Sequence, residues 1–295
     1  MIRQLATGQS IRELCGLFEV SSSGYYAWRR KGRGARTRAN EILGKEIEEI
    51  HRESRQNYGS PRITKALHAR GIRCGHNRVA RIMREKGLRG VQKRRFRPRT
   101  TDSRHEHPIS PNRLEQLQRV DGPNQAWAAD ITYVPTRQGW VYLAVVLDLG
   151  TRLIKGWSLR DSLHTKLVSE AFLRAVFKHR PPPGLIHHSD RGCQYASEEF
   201  RDLLTDHNAL SSMGRTGNCY DNATMESFFA TLKTELIRGK PFHSKDEARQ
   251  ALFDYIEIFY NRQRLHSALG YRSPVDFEAE LMSTTTTPYV STNSG

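Results

Sequence analysis

NQAWAADITYVPTRQGWVYLAVVLDLGTRLIKGWSL, residues 124–159, holds three runs rich in β-branched and aromatic residues: Ile131 to Val134, Val141 to Leu147 and Leu153 to Leu159. Gly139 and Gly150 fall between them, so the stretch reads as an antiparallel three-strand meander whose first strand begins at Asp130. Thr165 to His179 then repeats Leu167, Val168, Ala171, Phe172, Ala175 and Val176 at helical spacing. PPPG (Pro181 to Gly184) stops that helix before Leu185 and Ile186 start a short buried strand, and Asp190 to Gly192 form the turn that ends it. Ser197 to His207 reads as a helix, Ala209 to Met213 as another short strand, and Gly214 to Asn218 as a loop suited to substrate contacts. Strands alternating with helices predict α/β layering. If the strand after the helix pairs beside the first, Asp190 faces Asp130.

A third carboxylate, Glu226, follows Asp190 after 35 intervening residues, inside GNCYDNATMESFFATLKTEL. There Phe229, Leu232 and Leu236 recur at helical spacing, while Asn222, Glu226 and Lys233 fall at i, i+4 and i+11 on another face. Three carboxylates from three elements, with no cysteine or histidine at ligand spacing, describe an oxygen-donor site for Mg²⁺ or Mn²⁺ rather than Zn²⁺. Two such ions about 3.5 to 4 Å apart activate an attacking oxygen and stabilise the leaving one at phosphorus, which makes a phosphodiester the substrate. Several neighbours carry two readings. His187 and His188 read as structural or DNA-contacting in preference to a general base, Trp127 as core, and Asp148 as either a fourth carboxylate or a turn cap. Lys233, two turns after Glu226, is placed to hold a phosphate, with a solvated lysine as the alternative.

The order and spacing of Asp130, Asp190 and Glu226 resemble the DDE catalytic core of the retroviral-integrase superfamily, with its RNase H-like fold. More narrowly, HSDRGCQY (188–195), SMGRTGNCYDNATMESFFATLKTE (212–235) and YNRQRLHSALGYRSPVDFE (260–278) resemble the second-frame (OrfB) transposase of the IS-three group of bacterial insertion sequences, over a match from about Cys15 to Glu278. The resemblance implies an RNase H-like core with a mixed five-stranded sheet flanked by helices, joined to an all-α helix-turn-helix N-terminal region. It implies metal-dependent cleavage and strand transfer of double-stranded DNA at the ends of an insertion sequence. Asp130, Asp190 and Glu226 would hold two Mg²⁺ (or Mn²⁺) ions, and Lys233 and Asn222 would touch DNA. It also implies a homo-oligomer on DNA and an upstream-frame (OrfA) partner or frameshift fusion carrying a leucine zipper; no heptad run occurs in this sequence. Two positions depart from the family pattern. Ala129 stands where threonine is usual, and Gly150 where a bulky residue commonly follows Asp148 and Leu149; both bear on packing near the site. The rival readings are a catalytically inactive helix-turn-helix regulator and an RNase H-fold nuclease that cuts without joining.

Charge divides the 295-residue chain unevenly. Residues 1–100 hold 25 Lys and Arg against 8 Asp and Glu, a net of +17, while residues 101–295 hold 22 against 23. The excess basicity therefore belongs to a polyanion-binding first third. Residues 1–36 read as a helix-turn-helix-like segment, with Ser22, Ser23, Tyr25 and Tyr26 near the start of the second helix for base edges and Arg29, Arg30 and Lys31 at its end for phosphates. Residues 37–90 read as a second such domain: a helix over Ala39 to Glu53, then two short helices with Ile63, Ala66, Leu67, Val79, Ile82, Met83 and Leu88 inward. Ser60 caps the first of these, Pro61 sits in its first turn, and Arg62, Lys65, Arg78, Arg81 and Arg84 face outward to DNA. Residues 91–117 form a basic linker, whose QKRRFRPR follows phosphates and whose His105 and His107 are solvated; residues 118–281 are the integrase-type catalytic core and 282–295 a disordered tail. A capping box at Ser244 to Glu247 opens the last long helix, and Asn261, Arg262, Arg264 and His266 after it suit DNA or a neighbouring subunit. Scattered cysteines (Cys15, Cys74, Cys193, Cys219), no signal sequence and no apolar run near the ~20 residues that span a bilayer predict a soluble intracellular protein with no membrane partner, and the family resemblance further implies a cytoplasmic, nucleoid-associated bacterial one.

Overall fold

Near-continuous runs of buried residues in 124–159 build three strands of a five-stranded sheet in the computed structural model, which describes residues 10–30, 34–92, 108–117, 119–214 and 219–285. The chain divides into two units, Met1–Gly90 and Val91–Gly295. Lys31, His105, His107, most of QKRRFRPR, the loop 215–218 and residues 286–295 lie outside the described residues, as do the side chains of Arg30 and Asn222.

The first unit is helical. Ser10 and Glu13 form a reciprocal capping box at the start of α1 (Ile11–Leu17), and α2 (Ser22–Arg30) follows. Tyr25, expected at base edges, is instead buried, edge-on to Tyr26 at 5.6 Å, and packs with Leu14 and Cys15 as the buried apolar residues among those described in this short hairpin. Three further helices, α3 (Ala35–Glu53), α4 (Ser60–Ala69) and α5 (His76–Glu85), close around Leu43, Ile47, Ile50, Ile63, Leu67, Val79, Ile82 and Met83. Gly59, not Ser60, is the N-cap of α4; the Ser60 hydroxyl is taken by His76 Nε2 at 2.9 Å. Lys65 and Arg84 are exposed as expected. Arg78 is turned inward, where its Nε donates to Asn40 Oδ1 at 2.9 Å, and Arg81 pairs with Glu85 one turn on at 2.7 Å. Gly90 is required by close approach: a Cβ there would stand 2.4 Å from Gly59 N.

The second unit is the α/β core. Its strands are β1 (Ala126–Thr136), β2 (Gly139–Asp148), β3 (Ile154–Arg160), β4 (Ile186–Ser189) and β5 (Leu210–Met213), in the order β3-β2-β1-β4-β5. The first three pair antiparallel, and β4 and β5 add in parallel on the far side of β1. The sheet is therefore mixed, as the strand–helix–strand crossover after the meander requires. Asp130 is mid-strand rather than at the start, because Ala126 to Ala129 are at most 2 % exposed and extend β1 backwards to pair with β4.

Helix α6 (Thr165–His179) covers one face of the sheet, packing Leu167, Val168, Ala171 and Phe172 on Trp127, Ala129, Ala144 and Val146. Gly156 lets it come that close, since a Cβ there would lie 2.3 Å from Ala171 O. The alternate β1 residues Ala128, Thr132 and Val134 are buried on the other face, where α9 (Cys219–Leu232) and α10 (Lys245–Phe253) approach the strand. Two short helices, α7 (Cys193–Ala196) and α8 (Glu198–Asp206), lie between β4 and β5, and α11 (Pro274–Thr285) ends the unit.

Both α9 and α10 continue as π-helices, over Lys233–Ile237 and Asp254–Tyr260. The wider turn shifts the register, so Glu235 and Ile237 are buried and Leu236, expected inside, is only half-buried. The segment 260–274, expected at an edge for DNA, is largely internal. Asn261 accepts from Ile154 N–H and donates to Ile154 C=O, as a neighbouring strand would, while Arg264 and His266 are buried and Arg262 alone of the four is exposed. At Ser244 the cap forms to Glu247 N–H, but the Glu247 carboxylate returns to His243 N–H, one residue earlier than a capping box.

Candidate active site

Parallel pairing of β1 with β4 brings Ala129 opposite Ser189, so Asp130 in β1 and Asp190, the residue that follows β4, each stand one step past that pair. Neighbouring strands lie about 4.8 Å apart, which places the two acids side by side. Each is oriented by its own backbone: Asp130 Oδ1 accepts Ile131 N–H at 2.7 Å, and Asp190 Oδ1 accepts Gly192 N–H at 3.0 Å. The turn after Asp190 is tied to β5 by Gly214 N–H to Ser189 C=O and by Arg191 Nε to Gly214 C=O.

Tyr195, unremarked in the sequence, is buried behind this pair. Burial first, then the charges of Asp130 and Asp190, push its phenol well above the ordinary range, so it stays a neutral hydroxyl. That hydroxyl is buried and makes no hydrogen bond among the described residues. HSDRGCQY contained the signal, since a tyrosine five residues after the acid lies on the helix that the turn starts.

Lys233 is half-buried beside Asp130. Burial lowers its pKa, and the Asp130 carboxylate opposes that shift. Glu226 rides on α9 and is exposed. Among the described residues, no three His, Cys, Asp or Glu side chains stand together as a metal-binding group, so Glu226 is not gathered to the two aspartates in this structure. Arg152 anchors the helix near it, donating from Nη1 to Thr224 Oγ1, two residues before Glu226. The two aspartates, oxygen donors beside an unsatisfied hydroxyl, are of the donor type that fits a hard divalent cation.

Asp148, left open between a ligand and a cap, is a cap. It is fully buried, accepts Gly150 and Thr151 N–H through Oδ1 and Asn124 N–H through Oδ2, and lies 3.6 Å from the buried Lys155 ammonium. Lys155 Nζ also contacts Glu278 of α11 at 2.6 Å. Gly150 is needed there because a Cβ would come within 2.3 Å of Gly122 O. His187 and His188 are structural: His187 packs among Phe172, Phe200 and Tyr195, and His188 Nδ1 bonds the Ser212 hydroxyl at 2.9 Å. Trp127 is fully buried core. A cavity of about 320 Å³ lined by Arg160, Glu170, Arg174 and Lys245 lies at the Val141 end of β2, four positions along that strand from Val145, the partner of Asp130.

Comparison with known proteins gives this geometry its class. Residues 120–219 match the family model "Integrase core domain", residues 226–282 a second model of that description, and residues 37–96 an "HTH-like domain". A chain that joins such a core to such a domain is a DDE polynucleotidyl transferase acting on DNA. The transposase InsF of insertion sequence IS3A from Escherichia coli (strain K12) is 41 % identical over 271 residues, covering 91 % of this chain and 94 % of that protein. The uncharacterized 31 kDa protein of insertion element IS600 from Shigella sonnei is 45 % identical over 264 residues, covering 90 % and 97 %. The chain belongs to the IS3 family of insertion-sequence transposases. Among solved structures, a simian T-cell lymphotropic virus intasome in complex with a PP2A regulatory subunit aligns with a TM-score of 0.47 and 16 % identity, over 83 % of this chain and 76 % of that one. No described helix is long and apolar enough to cross a membrane.

Proposed function

We propose that Asp130, Asp190 and Glu226 are the catalytic acids of a reaction that cuts and rejoins DNA at the ends of an insertion sequence, with residues 37–90 reading those ends. The observation that carries this is the register of β1 and β4, which sets two carboxylates each one step past the same strand pair. When bound, two Mg²⁺ (or Mn²⁺) ions would lower the pKa of the attacking group and neutralise charge developing on the scissile phosphate.

The protein's own groups do the rest. Asp130 and Asp190 are pre-oriented acceptors from the sheet, and Glu226 adds a third carboxylate from α9. Lys233 beside Asp130 holds a phosphate oxygen, and Asn222, one turn before Glu226, contacts DNA. Water attacks the phosphodiester at the element's 3′ end, breaking the bond to the flanking strand and leaving a 3′ hydroxyl. That hydroxyl then attacks a phosphodiester of the target, forming the new strand and expelling the target's own 3′ oxygen.

Residues 1–36 and 37–90 supply DNA contacts through Arg29, Arg30, Arg62, Lys65, Arg81 and Arg84, and the basic linker 91–117 joins them to the core 118–281. The chain acts as a homo-oligomer on double-stranded DNA in the bacterial nucleoid, together with an upstream-frame partner or as a fusion to it. The experiment is incubation with labelled element-end DNA and Mg²⁺. Joined products are expected from the wild type. Asp190→Asn, which keeps the shape of the side chain, should give neither cut nor joined DNA while binding ends as before. Loss of end binding in that variant would instead make the acid structural.

A further inference from the structure

The π-helical turn after α9 carries a buried ion pair whose place in the chain bears on Lys233. Glu235 receives Arg264 Nη2 at 2.7 Å on Oε1, Arg264 Nε at 2.9 Å on Oε2, and the Tyr255 hydroxyl at 2.9 Å on Oε2. Both partners of the pair are about 6 % exposed. Burial alone would lower the Arg264 pKa, but the hydrogen bonds and charge of Glu235 raise it above the ordinary arginine value, so the guanidinium stays charged. The partners come from the second π-helix, Asp254–Tyr260, and from the irregular segment after it. On the other side of Arg264, its guanidinium lies over the Tyr260 ring at 5.8 Å, and Tyr260 stacks edge-on to His266 at 4.7 Å.

A buried ion pair is a poor source of stability, because desolvating two charges consumes most of what their attraction returns; fixing one arrangement over others is its better-attested use. Here the arrangement fixed is a helix register. Residues two apart project to nearly opposite sides of a helical turn, in a π-turn as in an α-turn. Pinning Glu235 inward therefore turns Lys233 to the other side, at the end of α9, which packs on the strand that carries Asp130, and the Asp130 carboxylate acts on its ammonium. Single π-turns of this kind recur at functional sites.

We propose that Glu235, Arg264 and Tyr255 are positioning residues for strand transfer, clamping the π-helical turn so that Lys233 is presented at Asp130. This rests on the reading of Lys233 as the cation that holds a phosphate of the DNA.

The test uses the full chain, labelled element-end DNA and Mg²⁺, with kcat and KM for joining measured for Tyr255→Phe, Glu235→Gln, Arg264→Lys and Arg264→Ala, each alone and combined with Lys233→Ala. Misplacing a group near the reacting atoms predicts that Glu235→Gln lowers kcat on the order of tenfold, with KM for the ends unchanged. Arg264→Lys, which keeps the charge, retains more activity than Arg264→Ala. Tyr255→Phe removes one hydroxyl and leaves the ring packed, so it gives a smaller loss in a chain that keeps its melting temperature, and it preserves the test should Glu235→Gln unfold. In the Lys233→Ala background the same substitutions change kcat by less than about twofold, because residues acting through one group do not add. A full further loss in that background overturns the clamp, as does a loss that only follows a lowered melting temperature. A wild-type chain that joins no ends overturns the reading of the site itself.

Discussion

Asp130 and Asp190 each commit one oxygen to a backbone N–H within two residues, so their orientation is set by the strand and the turn before any ligand arrives. The histidine three residues before Asp190 shows the other use of a buried polar group. His187 is enclosed by Phe172, Phe200 and Tyr195, and burial, followed by the charge of His188, lowers its pKa from 6.5 to about 3. The folded chain keeps it neutral while the unfolded chain takes up a proton below about pH 6.5. Its contribution is therefore intact above that pH and lost as the pH falls towards 3. Urea unfolding should show His187→Leu losing about 2 kcal/mol less than the wild type between pH 7 and pH 5. Equal losses in both proteins would refute that account. At this scale the sequence was legible at Asp190, which follows a short buried strand, and misleading at Asp130, which lies inside its strand rather than at its start. It was silent on Asp148, because an acid ending a strand looks the same whether it binds a metal or caps a turn. What decides is Lys155, buried against it from the next strand.

Elements were legible where one periodicity ran unbroken: α6 begins and ends at Thr165 and His179, as its apolar spacing predicts. They were illegible where the period changes or the packing is between backbones. The π-turns at Lys233 and Asp254 break the 3.6-residue rhythm without a proline or glycine to mark them, which is why Glu235 and Leu236 exchange places. Asn261, Arg264 and His266 resembled a polar edge because their partners, Ile154 and Glu235, are 107 and 29 residues away in sequence for the first two. The β3–α6 contact depends on Gly156, where an added Cβ would meet Ala171 O at 2.3 Å and Ala175 N at 2.7 Å. Gly156→Ala must push the helix off the sheet and should destabilise the core by about 1–3 kcal/mol, read as a lower melting temperature. An unchanged melt would mean that α6 sits further from β3 than it does here.

Across the whole molecule, basicity and chemistry are separated: the +17 of residues 1–100 stands against a near-neutral remainder that carries the three acids. The division was legible because net charge needs no fold to be read. Which of these side chains also bond within the unit was not: Arg78 donates to Asn40, and Arg81 pairs with Glu85 on the surface of α5. Arg84, exposed on α5, should carry a phosphate contact, so Arg84→Ala is expected to weaken end binding and reduce the slope of log K against log salt by about 1. Arg78→Ala should leave that slope alone and cost about 1 kcal/mol of stability through the lost bond to Asn40. The account depends most on carboxylates from separate elements sharing a divalent ion. Electron paramagnetic resonance titration of Mn²⁺ into the full chain measures that directly: the wild type should bind the ion, Glu226→Gln should bind it more weakly, and Asp190→Asn should lose it. Mn²⁺ binding by Asp190→Asn equal to that of the wild type would contradict the account.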